Sequence, residues 1–381
     1  MTATESPVSP ERDAPSLDAA ESRTWRRAFA VDGTAARVVL FVLTVLGALL
    51  AAAPLIAIAG SNPIDAYVAL FQGSLGSSRG IAETLVAATP LLTAGLAVAL
   101  SFQGGLFNIG VEGQLVVGGL VAGAIGAKIA LPAGIHVIVA ILAAALGGAV
   151  WALIPALLKA YRGVHEVITT IMMNYVAFSL STYLVSPGGP LVSATQPSAT
   201  DKIRSTARLA RIWEPTRLHA GVLVAAGLCV ACWWLLYRTT AGYRIRVVGA
   251  NPGAARFNGI GTRRVIVSTM CLSGALAGCA GAIEVLGLHG RYFDSFSPGY
   301  GYDSIAVALL GLMNPFGVAA AALFFGILRA GSVLLQARAK VSKDMVTVIS
   351  GLVVAFVAAR VVVERRLQRR DRSDRQERRD A

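Results

Sequence analysis

Charge is scarce in this chain of 381 residues: 14% are Asp, Glu, Lys or Arg, against roughly a quarter in an average soluble domain. With 55% hydrophobic residues, that shortage excludes water as the main solvent. Cysteine is sparse too. Cys229, Cys232, Cys271 and Cys279 all fall inside apolar runs, where they read as small core residues rather than a disulfide framework. Cys229 and Cys232 form a C-x-x-C, but no second Cys pair or nearby His completes a metal ligand set. No lysine directly follows a glycine, so the phosphate loop G-x-x-x-x-G-K-[ST] is missing. His165-Glu166 lacks the second His that a zinc-protease helix needs four residues on. None of the four histidines, His136, His165, His219 and His289, stands in a Ser or Cys elbow. No cofactor, no metal and no catalytic residue is expected, and any nucleotide hydrolysis must belong to another subunit.

What is present is apolar sequence in runs. A spanning helix needs about 20 apolar residues at 1.5 Å each to cross a hydrocarbon core of about 30 Å. Runs of this kind read as residues 38–59, 81–101, 114–131, 135–158, 167–185, 220–237, 265–286, 304–313, 316–335 and 346–363. The expectation is an all-α polytopic transmembrane bundle of about ten spans over residues 37–363, with inverted repeats over spans two to five and seven to ten. The first run exceeds the length of a signal-peptide core and follows a long polar stretch, so it is expected to be retained. Residues 1–36 are rich in Ser, Pro, Glu and Asp and read as a disordered cytoplasmic tail. Residues 364–381 read as a basic cytoplasmic tail.

The formal net charge is +13, which in a soluble protein would point to nucleic acid. Here the arginines sit beside span ends (Arg26, Arg27, Arg37, Arg244, Arg246, Arg263, Arg264) and in the C-terminal tail. There they fix orientation and meet anionic lipid. If the spans alternate, both termini and residues 238–264 lie in the cytoplasm. Two segments assigned outside run against the rule: residues 186–218 carry Lys202, Arg204, Arg208 and Arg211, and residues 336–344 carry Arg338, Lys340 and Lys343.

Polar, glycine-rich backbone at bilayer depth survives only where protein or a watery cavity surrounds it. Residues 102–114 (FQGGLFNIGVEGQ) place Asn108, Glu112 and Gln114 among glycines, and residues 299–315 (GYGYDSIAVALLGLMNP) place Asp303 before an Asn-Pro turn. Interrupted segments in both halves point to a transport site at a repeat interface. Ionisable residues inside apolar helices cost roughly 2.5–3.5 kcal/mol each, which singles out Glu112, Glu166, Glu284 and Asp303. Each either lines a pathway or is held locally by headgroups, water or a neighbour. Glu166, Thr170 and Asn174 recur every four residues and so share a helix face, which either lines a pathway or joins helices. The loop 239–264 (TTAGYRIRVVGANPGAARFNGIGTRR) either pads the membrane surface or holds a short amphipathic helix between glycine hinges, a shape that fits a groove on a partner.

GLFNIGVEGQ (105–114), HEVITTIMMNY (165–175), VGANPGAARFNGI (248–260) and GYDSIAVALLG (301–311) together resemble the permease subunits of ATP-binding-cassette importers. The similarity lies in the ribose-type and branched-chain amino acid branch, and the first two motifs look closest to bacterial nucleoside permeases. The resemblance covers residues 38–363. It implies an importer of the bacterial plasma membrane with two permease subunits, ATP-binding subunits and an extracytoplasmic substrate-binding protein, in which solute crosses unmodified by alternating access. It assigns Gly249, Asn251, Ala254, Ala255, Gly259 and Ile260 to ATPase coupling, and Asn108, Glu112, Gln114, Glu166 and Asn174 to the substrate pathway. Simple sugars such as ribose and branched-chain amino acids are the alternative solutes; an intramembrane enzyme and a secondary transporter are the rival classes.

Overall fold

The computed structural model describes residues 46–47, 49–58, 61–339 and positions 348, 351, 352 and 355. The expected N-terminal tail, most of the run 346–363 and the basic C-terminal tail lie outside the described residues. By Cα proximity the chain divides into Met1–Gly47 and Ala48–Ala381, and the second of these units holds the helical bundle.

The architecture is helical, with only two isolated β-bridges among the described residues, Ala199 to Phe293 and Arg211 to His219. In chain order the helices are α1 (Leu49–Ile58), α2 (Pro63–Leu75), α3 (Ser78–Gln103), α4 (Val111–Lys128), α5 (Ile135–Arg162) and α6 (Glu166–Val185). They continue with α7 (Gly221–Arg238), α8 (Thr240–Ala250), α9 (Pro252–Phe257), α10 (Thr262–Ile283), α11 (Tyr300–Leu310) and α12 (Pro315–Ala339). A π-turn, Glu284–His289, extends α10.

Their boundaries follow from local chemistry. Ser77 caps α3 by accepting the Gly80 N–H at 3.0 Å, and Asn62 caps α2 through Ile64, with Pro63 at the first helical position. Gly163, at φ +69°, ends α5 in the left-handed conformation that glycine adopts without a Cβ clash. Along α5, Ile138, Leu142, Leu146, Val150, Ile154 and Leu157 form an exposed apolar stripe at helical spacing. In water that stripe would be costly; facing lipid tails it is expected.

Six helices are long and apolar enough to cross a membrane: α3, α5, α6, α7, α10 with its π-turn, and α12. They become seven if α1 and α2, bent by 117° at their junction, act as one span. The all-α polytopic bundle is as expected, and the described residues account for six or seven of its spans. The run 304–313 falls on the end of α11 and the turn after it, and the 11 residues of α11 extend about 16 Å and cannot cross a 30 Å core. The stretch between the first two expected runs holds α2, which buries Ala66 and Leu70 against Ala52, Ile56, Leu328 and Leu335.

Packing between the halves is reciprocal. Helix α10 packs on α5 and α4, while α3 packs on α12 and α11. Small residues allow this closeness. At Gly278 an added Cβ would lie 2.2 Å from the Ala144 carbonyl oxygen, so α10 and α5 meet backbone to backbone. The connection 290–299 runs back along α4: Tyr292 covers Gly123, Phe296 covers Gly119, and Gly301 reaches the backbone of Glu112. Helix α11 thus begins beside Glu112, part-way along the bundle.

Candidate functional site

The break between α3 and α4 is built around Asn108. Its side-chain amide pairs reciprocally with that of Gln114, at 2.9 and 3.0 Å, and also donates to the Ser273 hydroxyl at 2.9 Å and accepts the Gly110 N–H at 3.1 Å. Ser273 in turn donates to the Ala97 carbonyl at 2.7 Å. Ser273 stands eleven residues into α10, so at 1.5 Å per residue the loop dips roughly 16 Å into the bundle.

Glu112 accepts the Gly301 N–H at 2.5 Å through Oε2. Gly301 is in the first turn of α11, so a carboxylate from the first half caps a helix of the second, where the positive end of the helix dipole favours it. Asn174 on α6 accepts the Gly113 N–H at 2.9 Å, donates to the Ile109 carbonyl at 3.0 Å and reaches the Tyr302 hydroxyl at 3.4 Å. Glu166 pairs with Lys159 at 2.7 Å and meets the Phe107 N–H at 3.5 Å.

The five expected pathway residues thus lie in or against the break 104–110 and the first turn of α4, and all are buried. Each is engaged with protein groups, so in this conformation they set the backbone of the break. Ser273 and Tyr302 were not foreseen, because a hydroxyl in an apolar run carries little signal. Arg329 was missed although its signal was legible: a lone arginine midway along an apolar helix demands a partner. It bonds Asp303 at 2.6 Å and stacks 4.5 Å from the Tyr300 ring.

The loop segment forms a second cluster. Asn251 caps α9 by accepting the N–H groups of Gly253 and Ala254, both at 3.0 Å. Gly259, at φ +72°, and Ile260, whose N–H meets the Ala255 carbonyl at 3.0 Å, close its end. Ala254 is exposed, whereas Ala255 is buried against its own chain. Phe257, not foreseen, is 96% exposed. Gly249 at the end of α8 lies on the break itself: a Cβ there would sit 2.1 Å from the Gln103 carbonyl oxygen, and Gly105, at φ +70°, faces its Cα. The Gln103 side chain also donates to the Met313 carbonyl at 3.2 Å, in the turn between α11 and α12. One point therefore joins the loop, the first break and the second-half turn.

At the opposite end of the bundle, Arg217 forms a two-pronged pair with Glu83, with bonds of 2.9 and 2.5 Å. That hydrogen bond pushes the Arg217 pKa up, and the charges of Glu83 and Glu284 add to it against a smaller loss from burial. Nearby, burial pushes the His219 imidazole down to about 4.

Residues 80–358 match the family model described as branched-chain amino acid transport system / permease component. Among curated proteins, the chain is 38% identical over 324 residues to the guanosine ABC transporter permease protein NupP of Bacillus subtilis (strain 168), covering 83% of this chain and 92% of that one. It is 37% identical to the glucose ABC transporter permease protein TsgB13 of Haloferax volcanii, covering 83% and 86%. It is 31% identical to the nucleoside ABC transporter permease protein NupB of Lactococcus lactis subsp. cremoris, covering 84% and 90%. No solved structure matches. A match over most of the chain, on a bundle broken at depth and joined to a capped loop helix, makes this a transport subunit and a member of the branched-chain amino acid transport system permease component family.

Proposed function

We propose that the chain is the membrane permease of an ATP-driven importer that moves nucleosides inward by alternating access. The observation that carries this reading is the similarity, over more than four-fifths of the chain, to permeases named for guanosine and for nucleosides. The Haloferax relative named for glucose favours a simple sugar as the second reading. Ribonucleosides and glucose both carry a pair of hydroxyls on neighbouring carbons.

Partners in this reading are ATP-binding subunits, a second permease and an extracytoplasmic binding protein, with both termini in the bacterial cytoplasm. Asn108, Glu112, Gln114, Glu166 and Asn174 frame the path by fixing the break beside it. Asn251, Ala254, Gly259 and Ile260 present α9 to the ATPase, while Gly249 and the buried Ala255 seat that helix on the bundle. The contact of Gly249 with Gln103 supports this, since it gives a push on α9 a direct route to the break.

Uptake of labelled nucleosides by a strain lacking the chain, with and without its restoration, tests the solute. Restored uptake of at least one nucleoside is expected; uptake of glucose or ribose alone would replace the first reading with the second. For the ATPase contact, Phe257→Asp should leave the permease at its normal level in the membrane but abolish copurification of the ATP-binding subunit. Retained copurification would remove α9 from the interface.

A further inference from the structure

The buried acids of the break all have hydrogen-bonded partners; Glu284 does not. It opens the π-turn at the end of α10, with its side chain 1% exposed, and neither carboxylate oxygen has a hydrogen-bond partner among the described residues. Nε2 of His289 lies 3.4 Å away but makes no hydrogen bond to it. Arg217 and Tyr300 are near enough to feel its charge. Burying a carboxylate without hydrogen bonds is costly, and single π-turns recur at functional sites.

His219 belongs to the same place. Its ring lies against Gly287 of the π-turn, where a Cβ would sit 2.4 Å from the imidazole. Its Nδ1 accepts the Gly221 N–H at 3.2 Å, which assigns the ring proton to Nε2. That Nε2 is buried and also without a partner among the described residues. The turn and the ring against it therefore hold two carboxylate oxygens without a hydrogen bond, one of them 3.4 Å from His289 Nε2, and one N–H donor without a partner among the described residues. The rings of Phe293 and Phe296 stand 4.9 and 6.0 Å from His289 and give the place an apolar wall.

We propose that Glu284 and His219 form a binding site for a vicinal hydroxyl pair, which, resting on the nucleoside reading, is the 2′,3′-diol of the ribose. Each hydroxyl both donates and accepts. Two neighbouring hydroxyls can donate to the two carboxylate oxygens while one accepts from His219, and no internal group of the turn does the same. The site stands eleven residues beyond Ser273 along α10, roughly 16 Å from the break on the side of the Arg217–Glu83 pair. A solute held there meets Glu284 before it meets the break.

The test uses the permease purified with its partner membrane and ATP-binding subunits, without the extracytoplasmic binding protein, so that its own selectivity is read. Binding of labelled guanosine, adenosine and uridine is measured by equilibrium dialysis, with their 2′,3′-dideoxy forms as competitors. The wild-type complex is expected to favour the ribose forms by about tenfold or more, the scale of a charge-assisted hydrogen bond, and Glu284→Gln should bring that ratio close to one. Equal competition by ribose and dideoxyribose forms, or a ratio unchanged in E284Q, overturns the site and leaves Glu284 as the partner of His289 only. If E284Q loses its ATP-binding subunit, the wild-type ratio and His219→Gln decide instead. Absence of nucleoside uptake in cells sinks the solute reading together with this ligand; uptake alongside unselective binding sinks the site alone.

Discussion

At Asn174 one side-chain amide serves three neighbours, Gly113, Ile109 and Tyr302, and so fastens α6 to the start of α4. Asn174→Ala would strand a buried N–H and a buried carbonyl together. Each orphan costs about 1–3 kcal/mol, so the melting temperature of the detergent-solubilised permease should fall by several degrees. Asn174→Asp keeps the acceptor for Gly113 and should fall short of that loss only if the Ile109 contact contributes little. His219 gives a pH signature with a defined sign. Its folded pKa is lowered from 6.5 to about 4, so the neutral ring favours folding above pH 6.5 and that support is lost as pH falls towards 4, up to about 3 kcal/mol in all. The melting temperature of His219→Gln should therefore fall less than that of the wild type between pH 7 and pH 5. Neither role is written in the local sequence. The polar stripe of Glu166, Thr170 and Asn174 was legible from spacing, but the carboxylate of Glu112 meets an N–H 189 residues away, and nothing near either residue encodes that meeting.

Among the elements, apolar length was a good guide and depth was not. Helices α3, α5, α6, α7 and α12 start and end within a few residues of the runs read from composition. The failures have a common cause. Helix α2, 13 residues long, falls between two runs and was passed over, while α11, 11 residues long, was counted as a span though too short to cross, and each is stabilised by neighbours from elsewhere in the chain. Glycine contacts hold the long helices at the closest approach the backbone permits. Gly278→Val should lift α10 off α5 and remove the permease from the membrane fraction. Gly227→Ala, at a glycine with open space around it, should leave the amount unchanged, as immunoblots of membranes would show.

For the whole molecule, the fold class and the family were readable in four ordered motifs, whereas the topology depends on segments that do not cross. Helix alternation puts the loop that carries α9 and the segment that carries Arg217 at opposite ends of the bundle. Cysteine introduced at Ala254 in a variant lacking the four native thiols should react with an impermeant maleimide only in inside-out vesicles, and cysteine at Ser205 only in intact cells. The reverse pattern would invert the assignment, and labelling of both from one side would break it.

The seat of Gly249 on Gln103 and Gly105 has a mechanical meaning. Side chains between moving parts act as springs: they change rotamer and absorb small displacements before passing anything on. Here two stretches of main chain touch with no spring between them, so the joint has almost no backlash. A shift of α8 must either move the break at once or be refused by it, and a half-stroke has nowhere to hide.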